Sequence, residues 1–274
     1  SEVRNYVTAA ERAYELVAEG QPISVRMLED LQRELLRGTA SDGSHAGSVR
    51  TTQVFIGLGN RRVTSARFVP PPADHRLLHG LRLWQDWIRE PSAIPTIIRV
   101  AVAHYQFETL HPFHDGNGRL GRLVMALQLM SAGELRFPVL NISPWLEQHR
   151  TEYQDGLLRV SQTGGWDSWV CFISAAIHAE ALEVVERVDK LLALREEFQV
   201  ILRGAKGVSL RIADDLIGYP MITASAAAAL HGVSYQAANT AITKLVDKGI
   251  LRQRTSGRYD RIFQCDGVLA ALEY

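Results

Sequence analysis

The sequence predicts a mainly α protein: a helical bundle carrying one β-hairpin, followed by a small helix-turn-helix unit that ends in two strands. Three observations carry this. Apolar residues recur at helical spacing through most of residues 1–203. The pattern becomes β-prone only between about residues 49 and 68. After "RGAKGVS" an Ala-rich segment opens a second unit, set at residues 207–274.

Val3, Tyr6, Val7, Ala10, Tyr14 and Val17 form one stripe of a first helix, and Gly20 ends it. Ser24 is placed to cap a second helix that runs toward Arg37 and stops at Gly38. "TASDGSHAGS" is loop chemistry; "VRTTQVFIG" and "RVTSARFV", separated by "LGN", read as a hairpin closed off by Pro70, Pro71 and Pro72. Helical patterning resumes at about His75 and continues, with breaks, to about Arg203, and residues 75–180 are expected to form the core. Trp166 and Trp169 read as core aromatics, and the mixed-charge helix around "HAEALEVVERVDKLLALREEF" as packed on the core with one solvated side. In the second unit a short helix reaches Leu230, Gly232 turns the chain and Ser234 caps a helix lined by Ala238, Ala241, Ile242 and Leu245. Gly249 ends that helix, and "ILRQR-TSGR-YDRIF" reads as two strands. This is the order of a winged helix-turn-helix.

Lysine plus arginine number 30, as do aspartate plus glutamate, so no global field draws the chain to nucleic acid or to an acidic membrane. Cys171 and Cys265 lie far apart in apolar settings. They read as buried, reduced thiols of a cytoplasmic protein, with neither a disulfide framework nor a zinc site. No secretory segment and no apolar run of membrane length is found, so no membrane partner is expected.

The densest polar chemistry is "HPFHDGNGR", residues 111–119, set between two strongly apolar segments. "TIIRVAVAHYQFETL" before it is apolar nearly all round, as a helix buried in a bundle would be. After it, Leu120, Leu123, Val124 and Leu127 form a helical stripe. Pro112, Gly116 and Gly118 break any continuous helix, so the stretch is a tight loop entering a helix N-terminus. Free N–H groups and the dipole make an anion site there, and the glycines let backbone approach a phosphate. Arg119 and Arg122, one turn apart, offer guanidinium forks suited to phosphate oxygens. Asp115 is a hard oxygen ligand of the kind Mg²⁺ uses beside nucleotide phosphates. His111, with an ordinary pKa of about 6.5, is a candidate base near neutrality.

"HPFHDGNGRLGR" resembles the signature of the Fic family, His-x-Phe-x-Asp/Glu-Gly-Asn-Gly-Arg-x-x-Arg, at every fixed position. "AHYQFETLHPF", "ARFVPPP", "ISPWLEQHRTEYQDGL" and "GGWDSWVCFI" agree, and many Fic proteins carry a C-terminal winged helix. The resemblance implies a Fic helical bundle with a flap at about residues 49–68, and protein adenylyltransferase activity using ATP and Mg²⁺. AMP would pass from ATP to a Ser, Thr or Tyr hydroxyl of a target protein, with release of pyrophosphate. It implies His111 as the base, Asp115 as the Mg²⁺ ligand, and Gly116, Asn117 and Gly118 as the phosphate cradle. Arg119 would hold the β-phosphate side, Arg122 the γ-phosphate, and Phe113 would anchor the loop. Tyr153 would stand near adenine, though the family often has two tyrosines there and this chain has one. His114 occupies a variable position and receives no role. The flap edge would pair with target backbone.

The inhibitory pattern Ser/Thr-x-x-x-Glu-Gly/Asn found in many Fic proteins is not seen at either end; "SPWLEQ" ends in Gln148 and lies after the motif. The expectation is a deregulated chain with Arg122 free, capable of self-modification, its brake cut away or supplied by a separate protein. Three rival readings stay open. A DNA-binding regulator would use Gln236, Asn239, Thr243 and Lys244 with the wing arginines Arg252, Arg254, Arg258 and Arg261, the Fic part sensing nucleotide. The same loop could transfer another phosphate-linked group or reverse AMPylation. His104, His111, His114 and Asp115 could form a hydrolytic metal site, although His104 reads better as a core histidine. A homodimer through the long helix is left open.

Overall fold

A computed structural model describes residues 2–57, 63–205, 207–255, 257 and 261–272. The protein is mainly helical, with one small three-stranded sheet. Two compact units meet at residues 181 and 182, inside one long helix. The sequence reading put the division at 203–207. The difference arises because the C-terminal half of that helix carries Leu191, Leu194, Phe198 and Ile201 into the second unit's core.

The first unit begins with α1 (Glu2–Ala18) and α2 (Val25–Leu36). Ser24 caps α2 as expected, its Oγ accepting from Met27 N–H at 3.1 Å. The buried face of α1 is Ala9, Ala10, Ala13 and Val17, with Tyr6 and Tyr14 flanking it. Val3 and Val7, expected on the stripe, are exposed; the buried small residues Ala9 and Ala13 turn the contact face away from them.

Among the described residues the expected hairpin shows one antiparallel bridge, Ile56 with Phe68, and a 3-10 turn at Val63–Ser65. The tip, residues 58–62, lies outside the described residues. A ladder fails for a physical reason. Pro70, Pro71 and Pro72 donate no N–H, and side chains take the carbonyls instead: Gln53 bonds Pro70 O at 2.9 Å and Arg50 bonds Pro71 O at 2.6 Å.

Helices α3 (His75–Arg89), α4 (Thr96–Leu110), α5 (Asn117–Ser131), α6 (Ser143–Gln148), α7 (Arg150–Thr163) and α8 (Trp166–Ile201) follow. Helices α4 and α5 each feed two apolar clusters. Ala103, Phe107, Leu120, Leu123 and Leu127 join α1, α2 and Trp84 on one side; Val100, Ala101, Met125 and Leu129 join Val160, Trp169 and Ile173 on the other. Burial on both sides explains why α4 reads as apolar all round. Three indoles fasten it: Trp84 Nε1 donates to Ala103 O at 2.9 Å, Trp169 Nε1 to Ala101 O at 2.8 Å and Trp87 Nε1 to Arg99 O at 3.3 Å.

Three further expectations need correction. Trp166 is 38% exposed, standing edge-on to Tyr105 rather than in the core. Cys171 is exposed, while Cys265 is buried as expected. By length and composition α8 could cross a membrane, through a window of mean hydropathy 1.4. Glu180 of the same helix is buried and accepts from Trp145 N–H at 3.0 Å.

The second unit has α9 (Val208–Asp215), β1 (Met221–Thr223), α10 (Ala224–His231), α11 (Tyr235–Asp247), β2 (Arg252–Gln253), β3 (Ile262–Gln264) and α12 (Asp266–Leu272). Ser234 Oγ caps α11 at Ala237 N–H, 3.2 Å away, and Ala238, Ala241, Ile242 and Leu245 are its buried face. The sheet order is β1-β3-β2, both pairs antiparallel, with Ile222 opposite Phe263 and Arg252 opposite Gln264.

Trp169→Ala should destabilise the first unit by about 3–5 kcal/mol, the range for emptying a buried tryptophan site, whereas Trp166→Ala should cost less than about 1 kcal/mol. Urea unfolding at 25 °C measures both; equal midpoints for the two variants would contradict the packing described.

Candidate active site

Helix α4 ends at His111, which adopts a left-handed conformation (φ 46°, ψ 62°) with its N–H on Phe107 O at 2.9 Å. Among the described residues it is the only non-glycine with positive φ. A left-handed L-residue costs about 1–2 kcal/mol, so the surroundings must hold it there. Five residues later Gly116 (φ 88°) starts α5. A Cβ on Gly116 would lie 2.9 Å from Leu35 Cδ2, because α2 packs directly beneath the turn.

Asn117 closes the loop from inside. Its Oδ1 accepts from Phe113 N–H at 2.9 Å and its Nδ2 donates to Phe113 O at 2.8 Å. Both ends of the amide are therefore engaged within the loop, and Asn117 sets the shape of its backbone. Phe113 is fully buried among α1, α2 and α5 residues, anchoring the turn. Gln32 of α2, 1% exposed, donates from Nε2 to Asp115 O at 3.1 Å and accepts from Gly47 N–H.

Around this turn stand the charged groups. Asp115 Oδ1 accepts from Gly116 N–H at 2.6 Å and meets Arg119 Nη2 at 3.5 Å. Arg119 Nη1 also pairs with Glu2 of α1 at 3.3 Å. Arg122 donates from Nε to Ser143 Oγ at 3.0 Å and has no ion-pair partner among the described residues. It lines a small cavity of about 230 Å³ with Tyr6, Tyr14 and Asn141. The carboxylate nearest the motif arginines is thus Glu2 on Arg119, with Arg122 held by a hydroxyl.

His111 lines a second cavity of about 910 Å³, within the range of small-molecule sites. Glu108 and Thr109 share its floor, Tyr153 and Arg150 form a wall, and residues 56–57 and 64–68 form the roof. Arg67 fastens the roof to α7 through Gln154 Oε1 at 3.0 Å and through Asp155. Burial lowers the His111 pKa to about 4; the Glu108 backbone carbonyl and Asp115 oppose this and Arg50 assists it. The imidazole is neutral at pH 7, and its Nδ1 is buried.

Tyr153 lines the same cavity, but its hydroxyl bonds His104 Nε2 at 2.9 Å and its ring packs near Trp169. His104 is a core histidine as expected, 1% exposed and stacked on Trp169, with burial driving its pKa down to about 3. His114 is exposed against His45, with ring centroids 4.7 Å apart. Among the described residues no group of three or more His, Cys, Asp or Glu is placed to hold a metal, which removes support from a hydrolytic metal site. One carboxylate at a helix N-terminus still suits Mg²⁺, which takes few protein ligands and keeps waters and phosphate oxygens.

Sequence reasoning missed Gln32 and Glu108, and left Arg50 open between a structural pair and a target contact. Gln32 left a trace as the polar residue on the stripe Met27, Leu28, Leu31, Leu35. Glu108 sits one turn before His111, and its Oε1 fills the place of a Cβ on Gly121, 2.6 Å away. Burial, only partly offset by Arg122, raises its pKa to about 7.

Residues 22–129 match the model of the Fic/DOC family. Protein adenylyltransferase fic-1 of Caenorhabditis briggsae is 34% identical over 168 residues, 61% of this chain and 29% of that protein. Fic-1 from C. elegans superposes with a TM-score of 0.50 at 28% identity, covering 67% of this chain and 51% of that one. A Fic family protein from Desulfovibrio desulfuricans G20 shares the fold, with a TM-score of 0.56 at 20% identity over 96% of this chain and 74% of that one. This chain spans less than a third of the length of the curated relatives it matches.

Asn117→Ala orphans a buried N–H and a buried C=O, each costing about 1–3 kcal/mol. The variant should lose that stability in urea unfolding; a variant as stable as the parent would refute the role given to the amide.

Proposed function

We propose, from a chain whose residues 22–129 form a Fic/DOC family domain, that it is a protein adenylyltransferase. It transfers AMP from ATP to a Ser, Thr or Tyr hydroxyl of a target protein and releases pyrophosphate. The observation that carries this reading is a neutral imidazole, His111, on the floor of a large cavity beside the N-terminus of α5. The names of the relatives support it at the level of the family.

His111 accepts the proton of the target hydroxyl, whose oxygen forms a bond to the α-phosphorus. The bond between that phosphorus and the oxygen bridging to the β-phosphate breaks, and pyrophosphate leaves with the electron pair. First-turn N–H groups of α5, that of Gly118 among them, receive phosphate oxygens, and the Gly116 N–H joins them by exchanging Asp115 Oδ1 for one. Arg119 takes the β-phosphate side by exchanging Glu2 for a phosphate oxygen, and Arg122 takes the γ-phosphate. Asp115 would hold Mg²⁺, which supplies neutralisation of charge on the leaving pyrophosphate. Tyr153 forms one wall for the nucleoside, and the 49–68 segment acts as the flap over which target backbone docks. Among the described residues no carboxylate forms an ion pair with Arg122, which leaves its guanidinium available to the γ-phosphate.

We read residues 207–274 as a winged helix-turn-helix, supported by the order β1, α10, α11, β2, β3. Two of its four wing arginines are engaged within the unit, while Arg254 is exposed with Met221 Sδ beside it at 3.3 Å. Arg252 is paired with Asp266 at 2.6 Å, and Arg261 bonds Asn239 and lies over Phe263. Arg258 lies outside the described residues. A protein-contact role fits this unit better.

Incubation with Mg²⁺ and ATP labelled at the α-phosphate should place label on the chain itself, read by intact mass. His111→Ala should slow transfer by about 10²–10⁴-fold, the contribution of general-base catalysis. Label arriving from the γ-position, or equal labelling of the variant, would overturn the proposal. The base must be neutral, and its pKa is lowered, so kcat/KM should hold down to about pH 4 instead of falling near 6.5.

A further inference from the structure

Arg50 is 2% exposed at the foot of the flap, and burial lowers its pKa with no acidic side chain opposing the shift. A buried guanidinium without a carboxylate is costly unless its donors are all satisfied. Here carbonyls do it. Nε donates to His111 O at 2.8 Å, and Nη2 donates to Leu110 O at 3.2 Å and to Pro71 O at 2.6 Å. Nη1 donates to Thr52 O at 3.3 Å, and the Arg50 backbone N–H donates to Pro112 O at 2.8 Å.

Leu110 and His111 carry terminal carbonyls of α4, which have no intrahelical partner and form the negative end of its dipole. A cation fits there. The same carbonyls flank the one non-glycine residue held left-handed. Fixing the His111 and Pro112 carbonyls fixes ψ of both residues, and the proline ring holds the φ between them, so the path of the loop away from the imidazole is set. Pro71 and Thr52 belong to the two ends of the segment that roofs the cavity, so one side chain joins roof and catalytic turn.

We propose that Arg50 is a positioning residue for His111: it caps α4, locks the left-handed turn that presents the imidazole to the cavity, and ties that turn to the base of the flap. The inference rests on His111 being the base. Arg50 has no place in the cavity's lining, so it acts through His111 and the flap and does not touch the nucleotide.

Two variants separate positioning from bulk stability. Arg50→Lys keeps the charge but cannot reach carbonyls in four directions; Arg50→Met removes the charge at similar length. Each is compared with the parent by urea unfolding, by NMR titration of labelled His111 without nucleotide, and by kcat and KM for ATP with Mg²⁺. Arg50→Lys should lower kcat by about 10–100-fold, the cost of a misplaced reacting group, with KM for ATP within about twofold. Arg50→Met should move the His111 titration, and with it the acid limb of kcat/KM, to higher pH, because a nearby positive charge that disfavours imidazolium is gone. On a His111→Ala background neither substitution should slow the residual rate further. The proposal is overturned if kcat falls only with the folded fraction, if KM rises while kcat holds, or if the His111 midpoint stays put in Arg50→Met. Should Arg50→Met not fold, Arg50→Lys alone decides through the split between kcat and KM. The titration needs no turnover, so a parent protein that transfers no AMP would sink the activity reading while the midpoint still tests the Arg50 contact.

Discussion

Two hydrogen bonds between the Asn117 amide and the Phe113 backbone close the turn on which the site depends. Helices α4 and α5 are buried on both sides, so the chain must reverse between them inside the protein, where unpaired backbone groups are costly. Asn117 satisfies one N–H and one C=O of the reversal. Gln32 takes the Asp115 carbonyl, and Arg50 takes those at the end of α4. With these groups satisfied from within, the donors left over are the first N–H groups of α5. A binding site for an anion follows from how the turn is buried.

Much of this was legible in the sequence because its signals are local. Ser24 and Ser234 cap the helices they were expected to cap, and the α11 face is the four residues its spacing named. The loop 111–119 could be read because Pro112 and the glycines stop one helix and start another within nine residues. What could not be read depends on distant partners. Val3 and Val7 fit the α1 stripe as well as Ala9 and Ala13 do, and only the surface offered by α2 and α5 decides which are covered. The β-prone runs at 49–68 have strand composition, yet Arg50 and Gln53 take the carbonyls a ladder would use. Trp166 and Trp169 differ by three positions on one helix, and the neighbours of α8 bury only the second. Arg50 itself lies 61 residues from the histidine it grips, and nothing in the local string "SVRTTQ" names that partner.

Burial acts on the two titratable groups of the cavity floor in opposite directions with the same result. It pushes His111 down, to about 4, and Glu108 up, to about 7, so both lean toward their neutral forms near neutrality. A fully ionised carboxylate at Glu108 would oppose a triphosphate bound at the start of α5, and a protonated imidazole could not accept a proton. The positive field at the turn then comes from Arg119, Arg122 and the helix end. Such a field owes nothing to overall charge, since the chain carries 30 basic and 30 acidic residues. It is made by packing: Gly121 leaves the space that Glu108 occupies, and Leu35 presses the turn at Gly116 into the conformation that starts α5. A substitution that fills either space therefore alters the electrostatics of the site without touching a charged group.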